Sequence, residues 1–391
     1  MHMLTVMLVG LAMGSTVSIA QAVGARDLKR AARSVGNTVT LFMALSLVLT
    51  AVLFLCVQGI VALVATPAAA VPGAVSYLKI CFLGIPFITA YNIISSIFRG
   101  LGDSKTPMYF IAVACAANIA LDYLFIGAMH LGPAGAALGT TLAQAISVAL
   151  SLVVVLRRKS GISLTKQDFR PDGAIMKTLL SIGIPVMLQD GFIQVSFIII
   201  TIIANGRGLT DAAAVGIVEK IMSFMFLVPS SMLSTVSALG AQNIGAGKPE
   251  RAKKTLGYAV LLATGFGFAV AIAMQYLAEN MVQLFTPDVL VAIAGGQYLR
   301  GYIWDSCLGG IQFSFSGYFC AKGKSGLSFL HNVLSILLVR VPGAYFGSKL
   351  FSQTLLPMGL ASAGGSLLSV CVCVIAYTIL TRREKAAQME A

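Results

Sequence analysis

Charge is scarce in this chain, and what there is leans one way. Asp, Glu, Lys and Arg make up 10% of the 391 residues, whereas 58% are apolar. A soluble globular domain carries about 25% charged residues, so that class is excluded. The 27 basic residues outnumber the 14 acidic ones. A nucleic-acid partner would need that excess on the face of a soluble domain, and there is none. Histidine is rarer still, at three residues, and no pair of histidines or acids has metal-ligand spacing. A phosphate-binding Gly-rich motif is also missing, so nothing points to a metal, a cofactor, an enzyme or direct use of ATP. None of the seven cysteines (Cys56, Cys81, Cys115, Cys307, Cys320, Cys371, Cys373) forms a CxxC pair. Cys371 and Cys373 are two apart, which points them to different sides of a helix. All read as small apolar packing residues.

What the chain has in abundance is long apolar runs. Eleven are present: Met3–Ala25, Thr38–Val64, Tyr77–Phe98, Pro107–Ile126, Ala134–Leu156, Leu179–Asn205, Ala212–Ser237, Leu256–Leu277, Gln297–Phe319, Leu327–Phe346 and Leu355–Thr381. About 20 residues of helix cross the ~30 Å hydrocarbon layer. A spanning segment must satisfy its own backbone hydrogen bonds, so these are helices. The first lacks the basic flank of a signal peptide and reads as a transmembrane helix. The fold class is all-α integral membrane protein.

The gaps set the orientation. Every second one is basic: Arg26, Lys29, Arg30 and Arg33; Arg99 and Lys105; Arg157, Arg158, Lys159, Lys166, Arg170 and Lys177; Lys248, Arg251, Lys253 and Lys254; Lys322 and Lys324; and the tail Arg382, Arg383 and Lys385. These are 21 of the 27 basic residues, and the intervening gaps hold only Arg207 and Lys349. The positive-inside rule puts the basic set and the C-terminus in the cytoplasm. A multi-pass protein of the plasma (cytoplasmic) membrane, embedded as a monomer in the lipid bilayer, is expected.

The chain also repeats itself. Shifted by 221 residues, Ala20-Gln21 and Gly24-Ala25 fall on Ala241-Gln242 and Gly245-Ala246. With the same shift, Arg30-Ala31, Gly36, Val39 and Leu41 fall on Arg251-Ala252, Gly257, Val260 and Leu262. Tyr77-Leu78-Lys79 falls on Tyr298-Leu299-Arg300, and Phe98, Gly102 and Ser104 fall on Phe319, Gly323 and Ser325. The offset contains six spans, an even number, so the copies run parallel and relate by an axis along the membrane normal. The organisation expected is a first lobe over 1–156, a cytoplasmic linker over 157–178, a second lobe over 179–381 and a cytoplasmic tail over 382–391. The first lobe then has five helices and the second six. One helix is expected ahead of Met1, encoded by roughly 40–60 upstream residues with one span of about 20.

Three segments carry a family resemblance: Ala241-Gln242-Asn243-Ile244-Gly245-Ala246-Gly247-Lys248, Phe98-Arg99-Gly100-Leu101-Gly102-Asp103-Ser104-Lys105-Thr106-Pro107 and Asn118-Ile119-Ala120-Leu121-Asp122. On these the chain resembles the multidrug and toxic compound extrusion (MATE) transporters, in the bacterial branch near the DNA-damage-inducible F-like proteins. The resemblance covers essentially the whole chain. It implies two six-helix bundles in a V around a central cavity. It also implies export of small amphipathic, often cationic compounds in exchange for protons or sodium.

Charge inside a bilayer is costly and usually functional. The acidic candidates are Asp122, Asp190, Glu219 and Asp305; the basic ones are Lys79, Lys220, Arg300 and Arg340. Asp122 is the only carboxylate within a first-lobe span, and Asn118 lies one turn before it on the same helical face. That amide can hold the carboxylate or donate to a ligand. In the family such an Asn-x-x-x-Asp pair forms part of a proton-linked site with an acid on the first helix, so the resemblance gives Asn118 and Asp122 an ion-coupling role. A polar clamp between helices is the competing reading. In the second lobe Asp190, Glu219, Lys220, Asp305 and Arg340 form a candidate charge network, with mutual pairing as the plain alternative. One branch of the family binds sodium through carboxylates on the first and fourth helices of that lobe. Asp190 and Asp305 lie several residues from those positions, and the role is not transferred. Lys79 and Arg300 sit near outer helix ends and are expected to snorkel. Pro86, Pro185, Pro229 and Pro342 can kink their helices. Met222, Met225 and Phe226 are read as packing, with a soft drug-binding surface as the alternative. His130 falls in an outer loop and His331 in a span.

Two other functions fit the same spans: a flippase for a lipid-linked envelope precursor, and a non-transporting fragment. A strongly basic cavity would favour the flippase, and the even balance of four acids and four bases in the spans discriminates weakly.

Overall fold

The computed structural model describes residues 2–63, 67–157 and 164–390. Arg158, Lys159 and Ser163 of the linker lie outside them. All regular structure among the described residues is helical. The chain divides into two compact units between Leu180 and Ser181. The first holds α1 (His2–Gly24), α2 (Leu28–Leu55), α3 (Val57–Leu63), α4 (Val71–Leu83), α5 (Ile85–Gly100), α6 (Lys105–Asp122), a π-helical turn (Tyr123–Ala128), α7 (Gly132–Arg157) and the start of α8 (Gly173–Asn205). The second holds the rest of α8, then α9 (Leu209–Met225), α10 (Leu227–Gly245), α11 (Pro249–Gln283), α12 (Val289–Tyr302), α13 (Trp304–Ala321), α14 (Ser325–Ser335), a π-helical turn (Ile336–Arg340), α15 (Val341–Leu350) and α16 (Leu356–Glu390).

Among the described residues, eight helical stretches are long and apolar enough to cross a membrane. Two further expected spans are bent pairs: α4 and α5 meet at 40°, and α9 and α10 at 41°. The remaining expected span, Gln297–Phe319, is split into α12 and α13 at Ile303. Thr38–Val64 breaks at Cys56, and Leu327–Phe346 is interrupted by the second π turn. Hydropathy is blind to such breaks because both half-helices stay apolar. Proline marks several of them. Pro86 and Pro342 open α5 and α15, and Pro229 sits in the first turn of α10, where a missing N–H costs little. Pro185 alone lies inside an unbroken helix.

The repeat is written into the backbone. Arg26 and Gly247 have φ of 58° and 70°, and Gly102 and Gly323 have φ of 90° and 69°. Each pair is 221 apart. Each helix ends in the same reversal: the Arg26 and Gly247 amides donate to Val23 and Ile244, and the Asp27 and Lys248 amides to Ala22 and Asn243. The Asp103 and Lys324 amides likewise donate to Phe98 and Phe319. A left-handed residue lets the orphan carbonyls of a helix end find these donors.

In the first unit α1 is buried over most of its length. Hydroxyls join it to α2: Thr38 Oγ1 donates to Ser15 Oγ at 3.0 Å, and Ser18 and Ser34 share a bond of 3.1 Å. Small polar residues of this kind let membrane helices approach closely. The described part of the linker is strapped to α2. Asn37 Nδ2 donates to the Asp168 carbonyl at 3.3 Å, and Asn37 Oδ1 accepts from the Asp172 amide at 2.7 Å. Thr40 Oγ1 donates to the Phe169 carbonyl at 2.9 Å. Gly36 makes room for the strap, because a Cβ there would collide with the Asp168 carbonyl.

Candidate functional site

Asp122 is the last residue of α6, and the π turn follows it at once. Such turns are often found at functional sites. Its carboxylate lies against α7 at Gly139, where a Cβ would collide with Oδ1. Asn118 is one turn back, and both residues are half-buried. Asp122 Oδ1 and Asn118 Nδ2 each lack a hydrogen-bond partner among the described residues. The amide therefore does not donate to that oxygen. On α7, Gln144 also leaves its Oε1 unpartnered. The arrangement offers a carboxylate oxygen and, one turn back, an amide donor to a proton or a small cation, with Gly139 clearing the approach.

The second unit distributes its charge differently. Arg340 ends the π turn and is 7% exposed. Its Nη2 donates to Tyr302 Oη at 2.7 Å, and its guanidinium stacks 4.9 Å from the Phe197 ring centroid and 5.6 Å from that of Tyr302. Stacking of this kind stabilises a cation away from water. The charge of Arg340 also acts on Asp305 and Glu219. Asp305 stands in the first turn of α13, 1% exposed, with neither carboxylate oxygen hydrogen-bonded among the described residues. Glu219 on α9 accepts from Thr201 Oγ1 at 3.5 Å. Three of the five candidates, Glu219, Asp305 and Arg340, thus form one cluster. Lys220 is exposed, and Asp190 lies instead beside Cys320. Among the described residues none of the five makes an ion pair within 4.0 Å, so in place of the mutual pairing held as the alternative Arg340 sits in an aromatic cradle.

Several other expectations change. Arg300 is not left to snorkel alone: it pairs with Glu279 of α11 at 3.1 Å and donates to the Gln275 carbonyl at 3.0 Å. Lys79 lies over the Phe54 ring at 5.6 Å. Met222 is buried in the core of its unit, and Phe226 stacks edge-on against Phe313. The packing reading of that segment holds.

Two groups carry more than their sequence context suggested. Arg207, read only as a rare outer-gap charge, pairs with Asp211 at 2.6 Å. It also donates to the carbonyls of Ser348, Phe351, Ser352 and Thr354. It staples the turn between α8 and α9 to the connection between α15 and α16. Its acceptors are backbone atoms far along the chain, which no sequence pattern marks. His331 is 1% exposed and is held through both ring nitrogens by serines. Ser316 and Ser369 were visible only as small residues in apolar spans.

The MatE family profile matches residues 1–124 and 185–346. The Bacillus subtilis (strain 168) protein named "Probable multidrug resistance protein YpnP" is 29% identical over 371 residues, covering 95% of this chain and 82% of that one. The Staphylococcus haemolyticus (strain JCSC1435) protein named "Multidrug export protein MepA" is 28% identical over 249 residues, covering 63% of this chain and 55% of that one. A solved structure described as the outward-facing conformation of a multidrug resistance MATE family transporter superposes with a TM-score of 0.91 at 21% identity, covering 100% of this chain and 86% of that one.

Proposed function

The chain belongs to the MatE family, and we propose that it is a secondary-active exporter of small amphipathic, often cationic compounds, driven by inward flow of protons or sodium. The relatives named for multidrug resistance and export support the substrate class. The observation that carries the coupling is Asp122, a carboxylate at the end of a membrane helix whose Oδ1, like the amide donor of its neighbour Asn118, has no partner among the described residues.

A carrier needs each ionisation state to favour a different arrangement of the protein. Protonated, Asp122 is a neutral hydrogen-bonding group that rests at low cost beside Gly139. Ionised, it needs a cation, or a donor such as Asn118 Nδ2, to offset desolvation. The adjacent π turn gives the helix a segment able to re-register as that demand changes. The exporter works in the plasma membrane as a monomer, with the basic gaps and the C-terminus on the cytoplasmic side.

The test is dye efflux from cells at matched membrane levels. Asp122→Asn fixes the neutral state; it should insert normally and lose gradient-driven efflux. Asn118→Ala should slow efflux less and shift its pH dependence. Normal efflux by Asp122→Asn across the external pH range would leave the helix-clamp reading in its place.

A further inference from the structure

Six polar side chains line one seam inside the second unit. Asp305, Gln312 and Ser316 face it from α13, Ser366 and Ser369 from α16, and His331 from α14; all six are buried. Gln312 Nε2 donates to Ser366 Oγ at 3.1 Å, and Ser366 also adjoins the Asp305 carboxylate. One turn along α13, Ser316 Oγ meets His331 Nε2 at 2.8 Å. On the far side of the ring, Nδ1 meets Ser369 Oγ at 2.6 Å. From Asp305 to Ser316 the seam runs about 16 Å along the helix axis.

Polar contacts that merely hold membrane helices together satisfy their own groups. This seam does so only at the His331 end. At the other end both Asp305 oxygens and Gln312 Oε1 lack partners among the described residues. A buried carboxylate there must find a proton or a donor. An imidazole between two hydroxyls is built to pass one on, because it can accept at one nitrogen and release from the other.

We propose that this seam is a proton-transfer path within the second lobe, with Asp305 as its terminal acceptor and His331 as its relay. Ser369 and Ser366 are one turn apart on α16, about 5–6 Å between Cβ atoms, an interval that one bridging water closes. In the step at the ring, Ser316 passes its hydroxyl proton to Nε2 as Nδ1–H passes its own to Ser369. Ser316 is re-protonated by hydronium, the co-reactant that the pH gradient supplies, so one proton enters for each one passed on and the ring ends neutral with its tautomer exchanged. At the far end Ser366 delivers a proton to the carboxylate, which becomes a neutral carboxyl, and Ser366 takes the proton passed on by Ser369. The charged and titratable neighbours are Arg340, Glu219, Tyr298 and Tyr302 at the Asp305 end, and Asp190 and Cys320 beside the His331 end. α10 carries no charged residue, and those of α11 lie towards its two ends.

The proposal rests on the reading of the chain as a proton-coupled exporter, and the experiment separates the two. The full chain is reconstituted in vesicles, and ethidium transport driven by an imposed pH gradient is followed. His331→Gln keeps an amide that can donate and accept between the serines but cannot relay. It is expected to bind ethidium and melt like the parent, yet transport at least about tenfold more slowly with a flattened pH profile. Ser369→Ala, which leaves the ring in place, should slow transport in the same sense, and serves if His331→Gln does not fold. Parental rates and pH profile in both variants would overturn the seam while leaving Asp122 untouched. A loss of ethidium binding equal at every pH would also overturn it, as a structural role. Absence of pH-driven transport in the parent chain with sodium-driven transport intact would overturn the seam and leave the exporter reading; absence of both would overturn both.

Discussion

At matching places in the two lobes, Gly84 and Asp305 stand at the break between paired half-helices. Gly84 is packed so closely on Thr141 that a Cβ would stand 2.8 Å from its hydroxyl, whereas Asp305 fills the corresponding place with a buried carboxylate. The contrast continues along the repeat. Gly36 lies under the linker strap; its counterpart Gly257 faces open space, and Asn37, which ties the strap down, is matched by the exposed Tyr258. Duplicated backbone therefore does not mean duplicated work. The reversals at Arg26 and Gly247 and at Gly102 and Gly323 are shared because any helix end of that shape needs them. The side chains diverge wherever each lobe meets something the other does not. The first lobe keeps one carboxylate within its apolar spans, and the strap; the second carries a buried arginine, a buried histidine and, within its apolar spans, the three acids Asp190, Glu219 and Asp305.

Alanine at the two matched glycines should break the comparison most sharply. Gly36→Ala must push the Asp168 carbonyl aside and should cost about 1–3 kcal/mol, read as a lowered melting midpoint in detergent and faster proteolysis of the strap. Gly257→Ala meets nothing and replaces a helical glycine, so it should stabilise by up to about 1 kcal/mol. Equal effects at both sites would show that the strap is not what distinguishes them. The left-handed turns give the next effect. Gly247→Ala should cost about 1–2 kcal/mol, since a Cβ is disfavoured at positive φ. The reverse change at its partner, Arg26→Gly, should be neutral or stabilising by a few tenths of a kcal/mol. A melting loss on Arg26→Gly would mean that the arginine side chain, not the turn, is what matters there.

The smallest effect concerns pH at the strap. The backbone amide and then the hydroxyl of Thr165 hold Asp168 below the ordinary carboxylate value of 3.8, with Arg33 adding to the same direction. A group lowered on folding stabilises above its unfolded value and loses that contribution as pH falls through its folded one. Strap stability should thus be flat through the neutral range and fall only in strong acid. A titration of the labelled Asp168 carboxyl by NMR in detergent should give a midpoint under that ordinary value; one above it would remove the cap from the argument.

How much of this was legible in the sequence follows from what each feature depends on. The spans and the repeat rest on composition and spacing, and both are visible along the chain. So was the shared face of Asn118 and Asp122, which follows from helical periodicity. The breaks at Cys56, Gly84, Phe226 and Ile303 leave hydropathy unchanged and were hidden, although Pro86 and Pro229 stand within a few residues of two of them. Partners were the least legible. Glu279 for Arg300, the Tyr302 and Phe197 rings for Arg340, and two serines for His331 all come from other helices, and a single sequence without aligned relatives records no such pairing.

The strap also changes what the connection between the lobes can do. A free linker of 15 residues would wander over roughly 19–23 Å and leave the start of the next helix unconstrained. With Asp168, Phe169 and Asp172 tied to α2, that slack is gone: α8 starts from a fixed anchor on the first unit and runs, without interruption, into the second. What compliance α8 has is then that of an anchored helix and not of a tether, and Pro185, which deprives it of a backbone hydrogen bond inside an otherwise unbroken run, is the natural place for it to bend.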